Sequence, residues 1–318
     1  MPCAYGFTDA FAYALIEDDE RGPMPALHEQ ADIAAMLALG AAFFIAIGDV
    51  MHQRQAHEVT DEQVGHVALF VQLLRDRQWW LGSLVAAVGF GLQAAALGLG
   101  SVLLVQAMLV TSLLFALPIN ARLSHRRVTR WEWTWAALLA AAVVVIVTVG
   151  NPTAGHSRAA FETWAAVVAV LGPALVLCVI GGSMAKGPLS AVLLAVVSGA
   201  LWGVFAVLTK GVVDRLDDGV IALLRTPELY AWVAIAVAGT AWQQFSFRAG
   251  SLTASLPTMT VTEPVVASAL GVVVLGETLR PGDAGWLTLI VAVAVMVFST
   301  GALARGEAAS SGDRATRH

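Results

Sequence analysis

Apolar residues do not alternate along this chain; they run. From residue 31 to residue 304, stretches of mostly apolar positions recur between short polar or Gly/Pro segments. A helix that crosses the hydrocarbon core needs about 20 such residues at about 1.5 Å each. The pattern predicts spans over 31–51, 78–99, 102–121, 131–149, 161–180, 189–212, 230–249, 251–277 and 284–303. Gly100-Ser101 and Gly250-Ser251 predict tight turns, 151–157 a short Gly/Pro loop, and Gly172-Pro173 an interruption of its helix. The apolar stretch 64–74 is too short to cross and predicts an interfacial or partly inserted helix. The fold class expected is an all-α polytopic membrane protein with about nine transmembrane helices.

Composition agrees with this reading and narrows the function. The 318 residues are 58% hydrophobic and 13% charged, against about 25% charged in ordinary soluble domains, and the mean hydropathy is +0.75. The net charge of -5 comes largely from the two tails, and no basic cluster points to nucleic acid. Cys3 and Cys178 make no disulfide framework, and no CxxC or His/Cys spacing suggests zinc or another cofactor. Residues 1–20 lack the basic and apolar regions of a secretory signal. Alternating the nine helices puts 12 of the 18 Lys and Arg on one side, including Arg122, Arg126, Arg127 and Arg130. That side is expected to be cytoplasmic and to hold the C-terminus. Lys210 and Arg248 read as end charges that snorkel. Eight of the ten tryptophans, Trp232 among them, fall near helix ends, as in aromatic belts, while Trp202 and Trp242 sit deeper and either line a cavity or, more commonly for such residues, pack. The Arg, Ala, Val and Gly bias suggests a GC-rich bacterial genome, hence a bacterial plasma (inner) membrane.

The chain also repeats. A shift of 150 matches Gly89 with Gly239, Gln93 with Gln243, Gly100 with Gly250, Ser101 with Ser251 and Ser112 with Thr262. A shift of 159 aligns 40–51 with 199–210. The copies begin five crossings apart, so they point opposite ways, an inverted repeat that places a substrate site near the midplane. The organisation expected is an acidic tail (1–30), a first helical repeat (31–150), a connecting loop and linker helix (151–187), a second inverted repeat (188–304) and a polar tail (305–318).

The candidate chemistry centres on 251–277, which carries Pro257, Thr258, Thr260, Thr262, Glu263 and Pro264 within a membrane-length run. A carboxylate in mid-membrane costs at least ~2.5 kcal/mol and normally faces protein or water. Pro264 lacks an N–H, so the Thr260 carbonyl loses its helical partner. The site expected is lined by Asp49, Gln93, Gln106, Ser112, Gln243, Gln244, Thr260, Thr262 and Glu263. Glutamines both donate and accept, although interhelical bonding explains them equally well. Asp49 serves either as a cavity acid or as an end-of-helix charge.

On SGALWGVFAVLTKG (198–211) and LPTMTVTEPVVASALGVVVLGETLRPGDAGW (256–286), the chain resembles the drug/metabolite transporter superfamily, EamA-like. The second stretch is similar to that family's hallmark of an internal Glu-Pro followed by Gly-Glu-x-Leu. The first copy departs from it, with Ser112-Leu113-Leu114 in place of Thr262-Glu263-Pro264 and no acid after Leu123. The usual member has ten helices; nine with an outside N-terminus look more like the NIPA-type magnesium transporter branch. The resemblance implies a secondary transporter of a small solute or metabolite working by alternating access; burial of the Glu263 carboxylate favours its neutral form and makes it the candidate proton-coupling group. A second expectation is magnesium transport, with Asp49 and Glu263 as metal ligands. A third, from another class, is a non-transporting membrane scaffold or subunit. Enzyme chemistry is not expected, since no phosphate-binding glycine loop, GxSxG or HExxH occurs. The partners expected are a small-molecule or ion substrate and the lipid bilayer, with a homodimer left open and no nucleic acid.

Overall fold

The computed structural model describes residues 24–59, 77–123, 127–249, 252–281 and 285–315. The helices are α1 (Met24–Val59), α2 (Arg77–Leu99), α3 (Val102–Leu109), α4 (Ser112–Leu123), α5 (Arg130–Gly150) and α6 (Phe161–Met184). They continue with α7 (Pro188–Leu216), the short α8 (Val220–Leu224), α9 (Pro227–Ala249), α10 (Leu252–Leu275) and α11 (Gly285–Ala315). The described residues form no strand, only one isolated antiparallel bridge between Thr153 and Thr278. Seven of the described helices or helix pairs are long and apolar enough to cross a membrane: Gln30–Gly48, Val102–Leu123, Arg130–Gly150, Phe161–Met184, Pro188–Leu216, Pro257–Leu275 and Gly285–Arg305. Leu84–Leu99 is a shorter apolar helix. This is the architecture of a multi-pass membrane protein, in which helices satisfy their own backbone groups.

α1 packs on α2, α3 and α4, while α7 packs on α6, α9 and α10; α10 touches α3, α2 touches α7, and α11 joins α5 to α10. Small residues set the closest approaches. A Cβ at Gly89 would lie 3.0 Å from the Ile45 backbone nitrogen, and one at Gly48 would lie 3.1 Å from Ala86 Cβ. Most of the core is Ala, Val and Leu from α1, α2, α3, α7 and α10, with a second cluster between α4, α5 and α11. α6 stands apart, since only 6% of its apolar stretch is buried.

Several boundaries differ from those read from the sequence. α6 runs unbroken through Gly172-Pro173; a proline deletes one hydrogen bond, and the rest of the ladder carries the helix past it. The expected 102–121 span is instead broken at Val110-Thr111. There the bonding tightens to i→i−3: Thr111 N–H to Met108 O, Leu113 N–H to Val110 O and Leu114 N–H to Thr111 O. The Thr111 hydroxyl also donates to Met108 O, a local competitor for the helix ladder. α11 extends through the expected polar tail to Ala315, and α1 runs from Met24 to Val59, past the expected span at both ends. Trp131, Trp133 and Trp286 are exposed near helix ends. Trp232 turns inward instead, stacking on Phe205 and donating its Nε1–H to Thr209 Oγ1. Trp202 packs between Phe90 and Phe205. The expected interfacial helix 64–74 and the Gly250-Ser251 turn lie outside the described residues.

Candidate functional site

At one end of the bundle α10 stops at Leu275, and Gly276 takes φ +65°, a conformation that L side chains rarely adopt. The turn sends the chain back, and Glu277 N–H donates to Gly271 O at 3.0 Å. The Glu277 side chain then enters the bundle, where it is 0% exposed. Gly271 makes the room, because a Cβ there would sit 2.9 Å from Glu277 Oε2.

The carboxylate ends at the start of α3. A helix begins with N–H groups that have no partner in the helix. Here Val102 N–H donates to Glu277 Oε1 at 2.7 Å and Leu103 N–H to Oε2 at 3.0 Å. Leu104 N–H donates to Ser101 Oγ at 3.0 Å, and Val105 N–H to Ser101 O. The whole first turn is satisfied, and the negative group lies at the positive end of the helix dipole. Lys210, near the end of α7, completes the cluster: its Nζ donates to Glu277 Oε1 at 3.0 Å and to Gly100 O at 2.8 Å.

The snorkelling expectation for Lys210 is therefore overturned. Lys210 is 4% exposed and forms a buried ion pair; an acceptor pair supplied by Glu277 and Gly100 outcompetes the reach to a surface. Glu277 and Lys210 are the residues that reading the sequence missed as a site. Both lie in the stretches that carried the family resemblance, but the partners are 67 and 175 positions apart.

A strap, residues 151–160, crosses this end. Asn151 closes α5 with a left-handed φ of 40°. His156 N–H donates to Leu275 O at 2.7 Å, and Arg280 N–H to Gly150 O at 2.8 Å. Thr153 and Thr278 exchange backbone hydrogen bonds, and their hydroxyls meet at 2.7 Å. Gly155 lies so close to the α10 terminus that a Cβ would fall 2.0 Å from Leu275 O. Arg158 pairs with Glu228 at the start of α9, beside a small cavity lined by Ser157, Trp164, Gly211 and Leu275.

The residues expected to line a central site are distributed over several helices. Gln93 is buried on α2. Gln106 is buried on α3 with its Nε2 unpaired. Ser112 is half-buried at the first position after the break. Gln243 is half-buried and Gln244 exposed on α9, which packs on α7 and only lightly on α10. Thr260, Thr262 and Glu263 are half-buried on α10, with the Thr262 hydroxyl donating to Thr258 O at 2.7 Å. Asp49 belongs to α1, and its side chain lies outside the described residues. What the structure brings together is α7 and the Thr262–Glu263 turn: a Cβ at Gly199 would lie 2.9 Å from Thr262 Cβ, and one at Gly203 2.9 Å from Glu263 O. Among the described residues no group of three His, Cys, Asp or Glu is placed to hold a metal ion.

No family model matches the chain, and no solved structure matches it. It is 37% identical over 287 residues to an uncharacterized protein of Corynebacterium glutamicum, an alignment spanning 89% of this chain and 98% of the relative. With nearly the whole of both proteins aligned, the chain belongs to the family of that Corynebacterium glutamicum protein.

Proposed function

We propose that this protein is a secondary transporter of a small solute that works by alternating access, with nine crossings in two inverted repeats of the drug/metabolite transporter type. The observation that carries this reading is a pair of spans with polar residues at corresponding positions. One is the α3–α4 span, broken at Val110-Thr111. The other is α10, with Pro257 and Pro264 inside it and Glu263 between Thr262 and Pro264. The 150-residue offset lays the Thr111-Ser112 break on Val261-Thr262, one residue before Glu263 in the continuous helix α10. Polar side chains and helix breaks at mid-membrane are how transporters build solute sites.

The neighbour pattern supports the repeat. α1 packs on α2 and on the α3–α4 span as α7 packs on α9 and α10, and α5 meets its equivalent α11. α6 then links the copies from outside. Asp49, Gln93, Gln106, Ser112, Gln243, Gln244, Thr260, Thr262 and Glu263 are proposed to line the path, with Glu263 exchanging a proton in competition with solute.

A ligand-dependent thermal shift in detergent separates this reading from a scaffold. Screened against small organic solutes and Mg²⁺, the protein should be stabilised by at least one solute, since a ligand at about 100 times its Kd adds roughly 2.7 kcal/mol. That shift should shrink in Glu263→Gln. A flat screen, or a shift untouched by the substitution, contradicts the assignment of Glu263.

A further inference from the structure

The Lys210–Glu277 pair ties together segments that alternating access must separate. The α3 N-terminus belongs to the first half of the chain, whereas Lys210 and Glu277 belong to the second. The strap adds a second tie at the same end, joining the α5–α6 loop to the turn after α10 and to α9. At the equivalent positions near the other end, the residue types that make this pair are missing. The offsets that relate the halves place Met51 opposite Lys210 and Arg127 opposite Glu277. An apolar side chain and a cation cannot form such a pair, and Arg127 is exposed.

Resting on the transport reading, we infer that Lys210 and Glu277 form a one-sided gate. It holds the bundle shut at the strap end and leaves the end with the arginine-rich 122–130 loop as the one that opens at rest. Opening the strap end breaks the ion pair and uncaps α3 at the same moment, so the transition is all-or-none. Burial under the strap keeps water from substituting for the lost partners, which makes removal of either one strongly felt.

The test uses two cysteine reporters in a chain with Cys3 and Cys178 changed to serine. Val105→Cys lies one turn beneath the pair, at a position 0% exposed and packed among α1, α7 and α10. Ala116→Cys lies toward the other end, against Ala46 and Val50. A membrane-impermeant maleimide is added to either face of sealed vesicles. With the gate weakened by Glu277→Gln, Val105→Cys should label from the strap face about a hundredfold or more faster, the size expected when a buried pair loses a partner. Ala116→Cys should label more slowly from the arginine-rich face. Lys210→Met should move both rates the same way, and it decides the matter should the Gln variant not elute as a single species. Faster labelling of both reporters, meaning a loosened fold, or no change in either, overturns the gate. The readout needs no solute. Reciprocal labelling without any solute flux would therefore leave the gate standing and sink the transport reading alone.

Discussion

Glu263 lies on the α10 face that meets α7, whereas Glu277 turns back past the end of that helix and sets its carboxylate beside Gly271, eight residues or roughly 12 Å of helix from Glu263 at about 1.5 Å per residue. Three donors converge on Glu277, so the residues that supply them differ in what their loss leaves behind. Glu277→Leu strands the Lys210 ammonium together with two backbone N–H groups and should cost about 3–5 kcal/mol. Lys210→Met leaves the carboxylate on Val102 and Leu103 N–H and should cost less. Thermal unfolding in detergent ranks them, and equal losses would mean that the helix cap contributes nothing. From the sequence, Glu263 is legible because a carboxylate inside an apolar run is conspicuous. Lys210 is not, because a lysine near a span end looks the same whether it snorkels or turns inward, and its partner is 67 residues away.

At the scale of elements, α7 meets α10 through glycine. Gly203→Val would drive a side chain into Glu263 O and Ala267 N, both 2.9 Å from the Cβ position. The helices must part, and overpacking of this kind costs about 1–3 kcal/mol; a lowered Tm with a weakened solute-dependent shift is the expected result, and an unchanged Tm would contradict the close contact. The strap offers a second check. With Thr153 and Thr278 hydroxyls 2.7 Å apart, Thr153→Cys/Thr278→Cys should oxidise to an intramolecular disulfide and raise Tm reversibly. Two free thiols after oxidation would refute the pairing. Helix existence was legible from the apolar runs, whereas helix integrity was not. Gly172-Pro173 reads as a break but costs one bond in a long ladder, while Val110-Thr111 reads as helix although the Thr111 hydroxyl and a run of i→i−3 bonds tighten the turn.

For the whole molecule, two halves meet at α3–α10, α2–α7 and α5–α11, and the strap and ion pair close one end. The glutamine and Gly-Ser matches are what suggests the proposed repeat, and they do not reveal the proposed asymmetry between its ends, which lies in what Met51 and Arg127 cannot do. The measurement that bears most directly on the proposed transport is solute-driven proton movement into proteoliposomes, read by an internal pH dye, with wild type and Glu263→Gln side by side. A solute selected by thermal shift should acidify or alkalinise the lumen through wild type, with that signal lost in the variant. Equal signals in both would contradict the role of Glu263, and no signal in either, for a solute that binds, would contradict proton-coupled transport itself.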